Sequence, residues 1–390
     1  MGFSPLGVAY PWDAVVPLRT RAAAHPDGLV DLSIGTPVDP TPDLIRHALE
    51  SASDAHGYPT VHGTTALRAA IVDWFARRRG VIDLPVEAVL PTVGSKELVA
   101  HLPSQLGIGP GDVVVIPRAA YPTYEIGARL AGAEVLISDD PAQWAGREEV
   151  ALVWLNSPGN PTGEVLSVER MAAVVKAARE VGAVVASDEC YALLPWTAPW
   201  SDPVAEGGGV PCILDPRVSG GDLTGLLSVY SLSKQSNLAG YRASFVAGDP
   251  VVVDQLLQLR RHLGMILPWP VQVALQAAVA DDAHVAQQVE IYRTRRELLE
   301  PALVAAGFEI DHSEAGLYLW ARPGDDLAQR LAPQDDEAPC WAVMRLLAEN
   351  GIVAGPGIFY GTEAGSHVRL ALTAPTEAIE GAATRLYALA

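Results

Sequence analysis

Leu226-Leu227-Ser228-Val229-Tyr230 runs directly into Ser231-Leu232-Ser233-Lys234, and Asn237-Leu238-Ala239-Gly240-Tyr241-Arg242 follows shortly after. The first five residues are almost all apolar, which suits a strand covered on both faces. The residues behind them set one lysine amine beside two hydroxyls and a guanidinium, a reactive nitrogen next to an anion site. Ser-x-Ser-Lys is too short a pattern to tell that chemistry from a surface lysine that follows a strand, so the flanking chain must decide.

Four similar runs precede it: Val113-Val114-Val115-Ile116, Glu134-Val135-Leu136-Ile137, Ala151-Leu152-Val153-Trp154-Leu155 and Gly182-Ala183-Val184-Val185-Ala186. Helical spacing lies between and before them. Val168, Met171, Ala172 and Val175 recur behind Ser167, a residue able to cap, and Leu67, Ile71, Trp74 and Phe75 form an earlier core stripe. Alternation of this kind predicts an α/β fold with a large mixed, mostly parallel sheet, helices on both faces, and a smaller α+β domain. Residues 1–40, irregular and rich in proline, read as an N-terminal arm that also contributes to the small domain; 41–268 read as the large domain. Residues 269–390 read as the small C-terminal domain, with a long helical stretch from Val271 to Leu303 and strands around 316–320 and 368–372. Asp325, Asp326, Asp335, Asp336 and Glu337 predict an exposed acidic loop over 323–338, and Gly207-Gly208-Gly209 a flexible loop with no helix behind it to hold phosphate.

Composition narrows the function. A chain of 390 residues with 49% hydrophobic and 19% charged residues is globular and large enough for two packed units. Its net charge of -19 argues against nucleic acid and anionic membranes, both of which need a basic face. An anionic substrate must then meet a few placed cations, and Arg242, Arg369 and Lys96 stand out. The N-terminus has no basic leader and no run approaches about 18 apolar residues, so a cytoplasmic location is expected. Cys190, Cys212 and Cys340 are too widely spaced for a disulfide framework, the histidines show no ligand spacing, and no metal is expected.

Ligands of open α/β sheets sit beyond the carboxyl ends of the strands. Asn156-Ser157-Pro158-Gly159-Asn160-Pro161-Thr162-Gly163 follows one run, Ser187-Asp188-Glu189-Cys190-Tyr191 another, and the lysine motif a third. In this order the motifs make the chain resemble the fold-type I pyridoxal-phosphate aminotransferases over nearly its whole length.

The resemblance implies pyridoxal 5'-phosphate as cofactor, bound through Lys234, which also shuttles the substrate's α-proton. It puts Asp188 on the ring nitrogen, Tyr191 and Asn160 on the phenolate oxygen, and Tyr121 against the ring face, where the alternative is an ordinary turn tyrosine. Ser95 and Lys96, in Gly94-Ser95-Lys96-Glu97 ahead of a helical stretch, join Ser231, Ser233 and Arg242 around the phosphate. Lys96 serves either that phosphate or a second substrate carboxylate. Tyr58 resembles the tyrosine that reaches across a homodimer interface to the other subunit's phosphate, with a core tyrosine as the alternative. Arg369 resembles the clamp on the substrate α-carboxylate, and the Gly35 amide would add to it.

Within that family, the segments 28–40, 231–242 and 312–320 are similar to the actinobacterial N-succinyldiaminopimelate aminotransferases. This implies ping-pong transfer of an amino group between glutamate and N-succinyl-2-amino-6-oxopimelate, in lysine and diaminopimelate synthesis. Two alternatives share the site: another transaminase or carbon-sulfur β-lyase, since substrate walls decide the outcome of shared cofactor chemistry, and a non-catalytic binding protein. A binding protein has no need for the shuttle lysine.

Overall fold

The computed structural model describes residues 11–202, 208–331 and 337–390. Seven strands form the large sheet in the spatial order 89–93, 243–248, 226–231, 184–188, 150–156, 113–116, 134–137. The last five in that order run parallel, and Ala243–Gly248 lies antiparallel to both its neighbours. Alternate residues of one strand enter different cores. Val113 and Val115 pack with Trp74, Phe75 and Met171, while Val114 and Ile116 pack with Leu98, Tyr124 and Leu256. Period-two alternation between two helix layers is what makes these strands apolar at every position.

The structure corrects several expectations. Glu134–Ile137 is an edge strand with Glu134 and Ile137 exposed, so it is not covered on both faces. Val89–Val93, to which the sequence pattern assigns no element, forms the opposite edge, where Pro91 needs no partner for a missing N–H. The Val271–Leu303 stretch is two helices, Trp269–Ala280 and Ala283–Ala305. The first buries Val271, Ala274, Leu275 and Ala278 in the same core as Ile45, Leu67 and Ile71.

The smaller unit is an antiparallel sheet in the order 355–356, 368–371, 318–323, 308–310, packed on the Ala283–Ala305 and Thr376–Tyr387 helices through Leu299, Leu303, Leu370 and Leu386. From residue 11 the N-terminal segment is ordered against it: a helix at Val16–Ala23 with proline in its first turn, then Val30–Asp31 paired in parallel with Ile352–Val353. The prolines that suggest an irregular arm partly start helices, and residues 1–10 lie outside the described residues. Within 323–338, Asp325 and Asp326 open a short helix, Asp325–Arg330, where acidic groups favour the N-terminal end. Asp335, Asp336 and Gly207 lie outside the described residues, and Glu337 is paired with Arg345. Among the described residues no helix is long and apolar enough to cross a membrane.

Candidate active site

Three adjacent parallel strands end at Asn156, Asp188 and Ser231, so their polar termini rise on the same edge of the sheet. Asn156 ties two of them together. Its side-chain nitrogen donates to the Asp188 carbonyl at 2.9 Å, and its oxygen accepts from the Asn160 amide at 2.7 Å, which folds the turn that presents Asn160. The Asn160 side-chain oxygen accepts from Arg369 at 2.8 Å. Arg369 comes from the small sheet, so this bond joins the two units at the site.

Asp188 is buried, its Oδ2 accepting from the Tyr124 hydroxyl at 3.0 Å and its Oδ1 from the Cys190 amide at 3.2 Å. Burial pushes its carboxyl above the usual carboxylate range, outweighing the hydrogen bonds from Cys190 and Tyr124. Tyr124 stacks on Trp154 with centroids 5.0 Å apart and meets Tyr121 edge-on at 6.2 Å.

Across the site, the Tyr191 and Tyr318 hydroxyls lie 3.2 Å apart. Burial, and then the neighbouring Tyr318, hold Tyr191 well above the ordinary phenol value. Burial alone would raise Tyr318 as well, but Arg369 and Lys234 beside it bring it below that value, so it is the more acidic of the two. The Lys234 amine donates to the Gly35 carbonyl. A Cβ on Gly35 would overlap the Tyr318 hydroxyl, so this close approach requires glycine. The Arg369 guanidinium lies 4.0 Å from the Tyr318 ring centroid and 5.0 Å from that of Tyr360, and it donates to the Ser33 carbonyl at 2.8 Å. Its buried Nε has no partner among the described residues.

A candidate anion site lies where the Ser95–Gln105 helix begins. Gly94 precedes it at φ +83, and a Cβ there would overlap the Arg242 guanidinium. Arg242 is steadied by the Ala239 carbonyl at 2.8 Å, and the Ser231 and Ser233 hydroxyls are 2.8 Å apart. Lys96 lies 5.7 Å from the Tyr121 ring centroid, over the ring rather than in an ion pair. Tyr58 is not brought to this cluster: it is 99% exposed on the single chain, which rules out the core reading.

The family model for class I and II aminotransferases matches residues 27–386. The chain belongs to that family. This aminotransferase is 50% identical over 377 residues to the 4-dedimethylamino-4-oxo-anhydrotetracycline transaminase of Streptomyces rimosus, covering 97% of this chain and 98% of that protein. It is 35% identical over 375 residues to an LL-diaminopimelate aminotransferase of Desulforudis audaxviator, covering 92% and 89%. A double mutant of the Thermus thermophilus aspartate aminotransferase shares its fold with a TM-score of 0.83, covering 100% of both chains at 24% identity.

The cofactor of the aminotransferase is pyridoxal phosphate, and the residues fit it. Asp188 is a buried carboxylate bonded to two neutral donors, a set that a protonated ring nitrogen completes. Arg242 over a residue without a Cβ, two serine hydroxyls and the first amides of the Ser95–Gln105 helix are all donors, as a phosphate requires. When bound, pyridoxal phosphate supplies an electron sink for the bonds at a substrate's α-carbon.

Tyr124, Tyr318, Asn156 and Ser33 were not singled out by sequence reasoning. A signal existed for two of them. Tyr124 lies three residues after Tyr121, across the turn that opens the Thr123–Ala131 helix, and strand alternation sets Tyr318 on the same face as Trp320, whose cross-strand partner is Arg369.

Proposed function

We propose that this aminotransferase moves an amino group between glutamate and N-succinyl-2-amino-6-oxopimelate, as a cytoplasmic homodimer. The observation that carries the reading is Arg369, a buried guanidinium with an unpartnered Nε, beside the Lys234–Gly35 pair. It is suited to an α-carboxylate, and Lys234 is then within the same cluster as the α-carbon it must deprotonate. In this reading Lys234 Nζ takes the α-proton and returns it, Asp188 keeps the ring nitrogen protonated, and Tyr191 and Asn160 donate to the phenolate oxygen. Tyr121 covers the ring, and Ser95, Ser231, Ser233 and Arg242 hold the phosphate. Lys96 serves the phosphate or a distal carboxylate. Tyr58, exposed on the isolated chain, reaches the partner's phosphate. A substrate of the diaminopimelate type is supported by 35% identity to a protein named for LL-diaminopimelate.

One observation favours a second reading. Identity of 50% links the chain to a protein named for an oxo-anhydrotetracycline, a polycyclic ketone. Purified protein incubated with glutamate and a panel holding the succinylated oxopimelate, simple 2-oxo acids and a polycyclic ketone separates the two. Preferential formation of 2-oxoglutarate with the succinylated acceptor supports the first reading. Turnover of the ketone alone overturns it, and absence of any cofactor-dependent turnover overturns both.

A further inference from the structure

The Ala283–Ala305 helix carries His284, Gln288, Tyr292 and Arg295, and all four are buried. Steps of three and four residues put them on one face. A buried polar stripe is costly unless its groups are bonded; Arg295 also bonds Thr376 and the Leu372 carbonyl, and His284 bonds Asp281, but the remaining partners fall in two segments of the candidate site. Toward the lysine loop, the Tyr292 hydroxyl donates to the Lys234 carbonyl at 3.1 Å, Asn237 donates to the Gln288 side-chain oxygen at 2.7 Å, and the Ser236 hydroxyl is 2.8 Å from His284 Nε2. Toward the segment that carries Gly35, Arg295 donates twice to Asp39, at 2.8 and 2.5 Å, and Gln288 donates to Asp39 at 2.9 Å. The two segments also meet each other. Thr41 donates to the Asn237 carbonyl at 3.1 Å, Asn237 to the Pro40 carbonyl at 3.2 Å, and the Lys234 amine to the Gly35 carbonyl.

Part of this stripe has the outline of a hydrolytic relay, because His284 Nδ1 lies 2.8 Å from Asp281. Ser236 is fully buried, however, and its hydroxyl faces only the imidazole, so it has no access to a substrate. The relay instead fastens the loop two residues beyond Lys234.

We propose that the polar face of the Ala283–Ala305 helix is a positioning device for Lys234. One rigid helix fixes the lysine's backbone carbonyl and also the segment whose carbonyl receives its amine, so the amine is held from both ends. Tyr292, Gln288 and Arg295 touch neither cofactor nor substrate; they act through Lys234 and Gly35. The inference rests on Lys234 being the cofactor lysine.

Tyr292→Phe removes the tie to the Lys234 carbonyl and keeps the ring. Misplacing a reacting group by a fraction of an ångström slows the chemical step, so kcat should fall about tenfold with KM for glutamate little changed. The visible circular dichroism of the bound cofactor, which reports the angle at which Lys234 holds it, should weaken. Asp39→Asn loosens the other end, and because both variants act on the same amine, their losses in the double variant should fall short of multiplying. Gln288→Met, which cuts ties to both segments, should reproduce the kcat loss if Tyr292→Phe fails to fold. Wild-type kcat and dichroism in folded Tyr292→Phe or Gln288→Met, or losses that multiply with Asp39→Asn, overturn the proposal. Lys234→Ala separates the layers. If it keeps the visible cofactor spectrum and turnover, the lysine assignment itself fails; if it is inactive while Tyr292→Phe is normal, only the positioning role fails.

Discussion

Arg369→Lys keeps the charge at the proposed carboxylate site and removes its geometry. In the native site two guanidinium nitrogens are spent on the Asn160 side-chain oxygen and the Ser33 carbonyl, each at 2.8 Å, and one face is covered by Tyr318. The fork nevertheless keeps further N–H groups in its plane, including the unpartnered Nε, enough for a two-point carboxylate contact. A lysine ammonium retains one charge-assisted bond and cannot hold Asn160, Ser33 and a carboxylate together in one plane. Losing one such bond costs about 1.5–3 kcal/mol, a fall of about ten- to 150-fold in kcat/KM. The assay is a single-turnover half-reaction with glutamate, followed by the absorbance of the bound cofactor across a range of substrate concentrations. Cofactor retention on gel filtration should stay at the wild-type level, since the proposed cofactor anchors, Lys234, Asp188 and Arg242, are left intact. The reasoning fails if kcat/KM stays within about twofold of wild type, or if the variant sheds its cofactor to the same degree that it loses activity.

Three other outcomes follow from the geometry. Gly94→Ala forces a Cβ into the Arg242 guanidinium at a positive φ and should weaken cofactor binding by about tenfold or more by equilibrium titration, whereas Gly182→Ala, at φ +74 with nothing within 4 Å, should leave it unchanged. Glu189→Gln leaves buried Arg79 without the opposite charge that lies 2.9 Å away and should cost about 3–5 kcal/mol in urea unfolding; a loss under about 1 kcal/mol would refute the reading. Burial holds the His367 imidazole below its ordinary 6.5, more than Asp311 raises it, so its contribution to stability is complete above that value and declines as pH falls through it toward the lower folded value; urea midpoints should drop on acidification, and His367→Asn should flatten part of that drop.

Legibility in the sequence followed the range of the interactions involved. The parallel strands are readable because each is apolar at consecutive positions, although the runs 151–155, 182–186 and 226–230 become strands 150–156, 184–188 and 226–231, so the polar residues expected just beyond them are their last members. The edges are not readable in that way. Pro91 breaks the pattern of 89–93, and 134–137 has the right composition but only one covered face. In the candidate site, Asn160, Asp188 and Lys234 are legible because their proposed roles come from where they stand relative to a strand end, which is local information. Tyr124 and Tyr318 gain theirs from partners 64 and 127 residues away, Asp188 and Tyr191, so only the folded sheet reveals them.

The Ala283–Ala305 helix carries that distinction further. A face with His284, Gln288, Tyr292 and Arg295 has the composition of a solvated surface, and local pattern rules would turn it outward. It is turned inward because Asp39, Asn237 and the Lys234 carbonyl, all distant in sequence, offer it the bonds that water would otherwise supply. A buried polar face of this kind adds little net stability over an apolar one of equal volume. It does fix direction, since each bond tolerates only a narrow range of geometry where an apolar contact tolerates many. That makes the stripe suited to aiming one amine, and it locates the aim of Lys234 in a helix outside the sheet from which the lysine loop emerges.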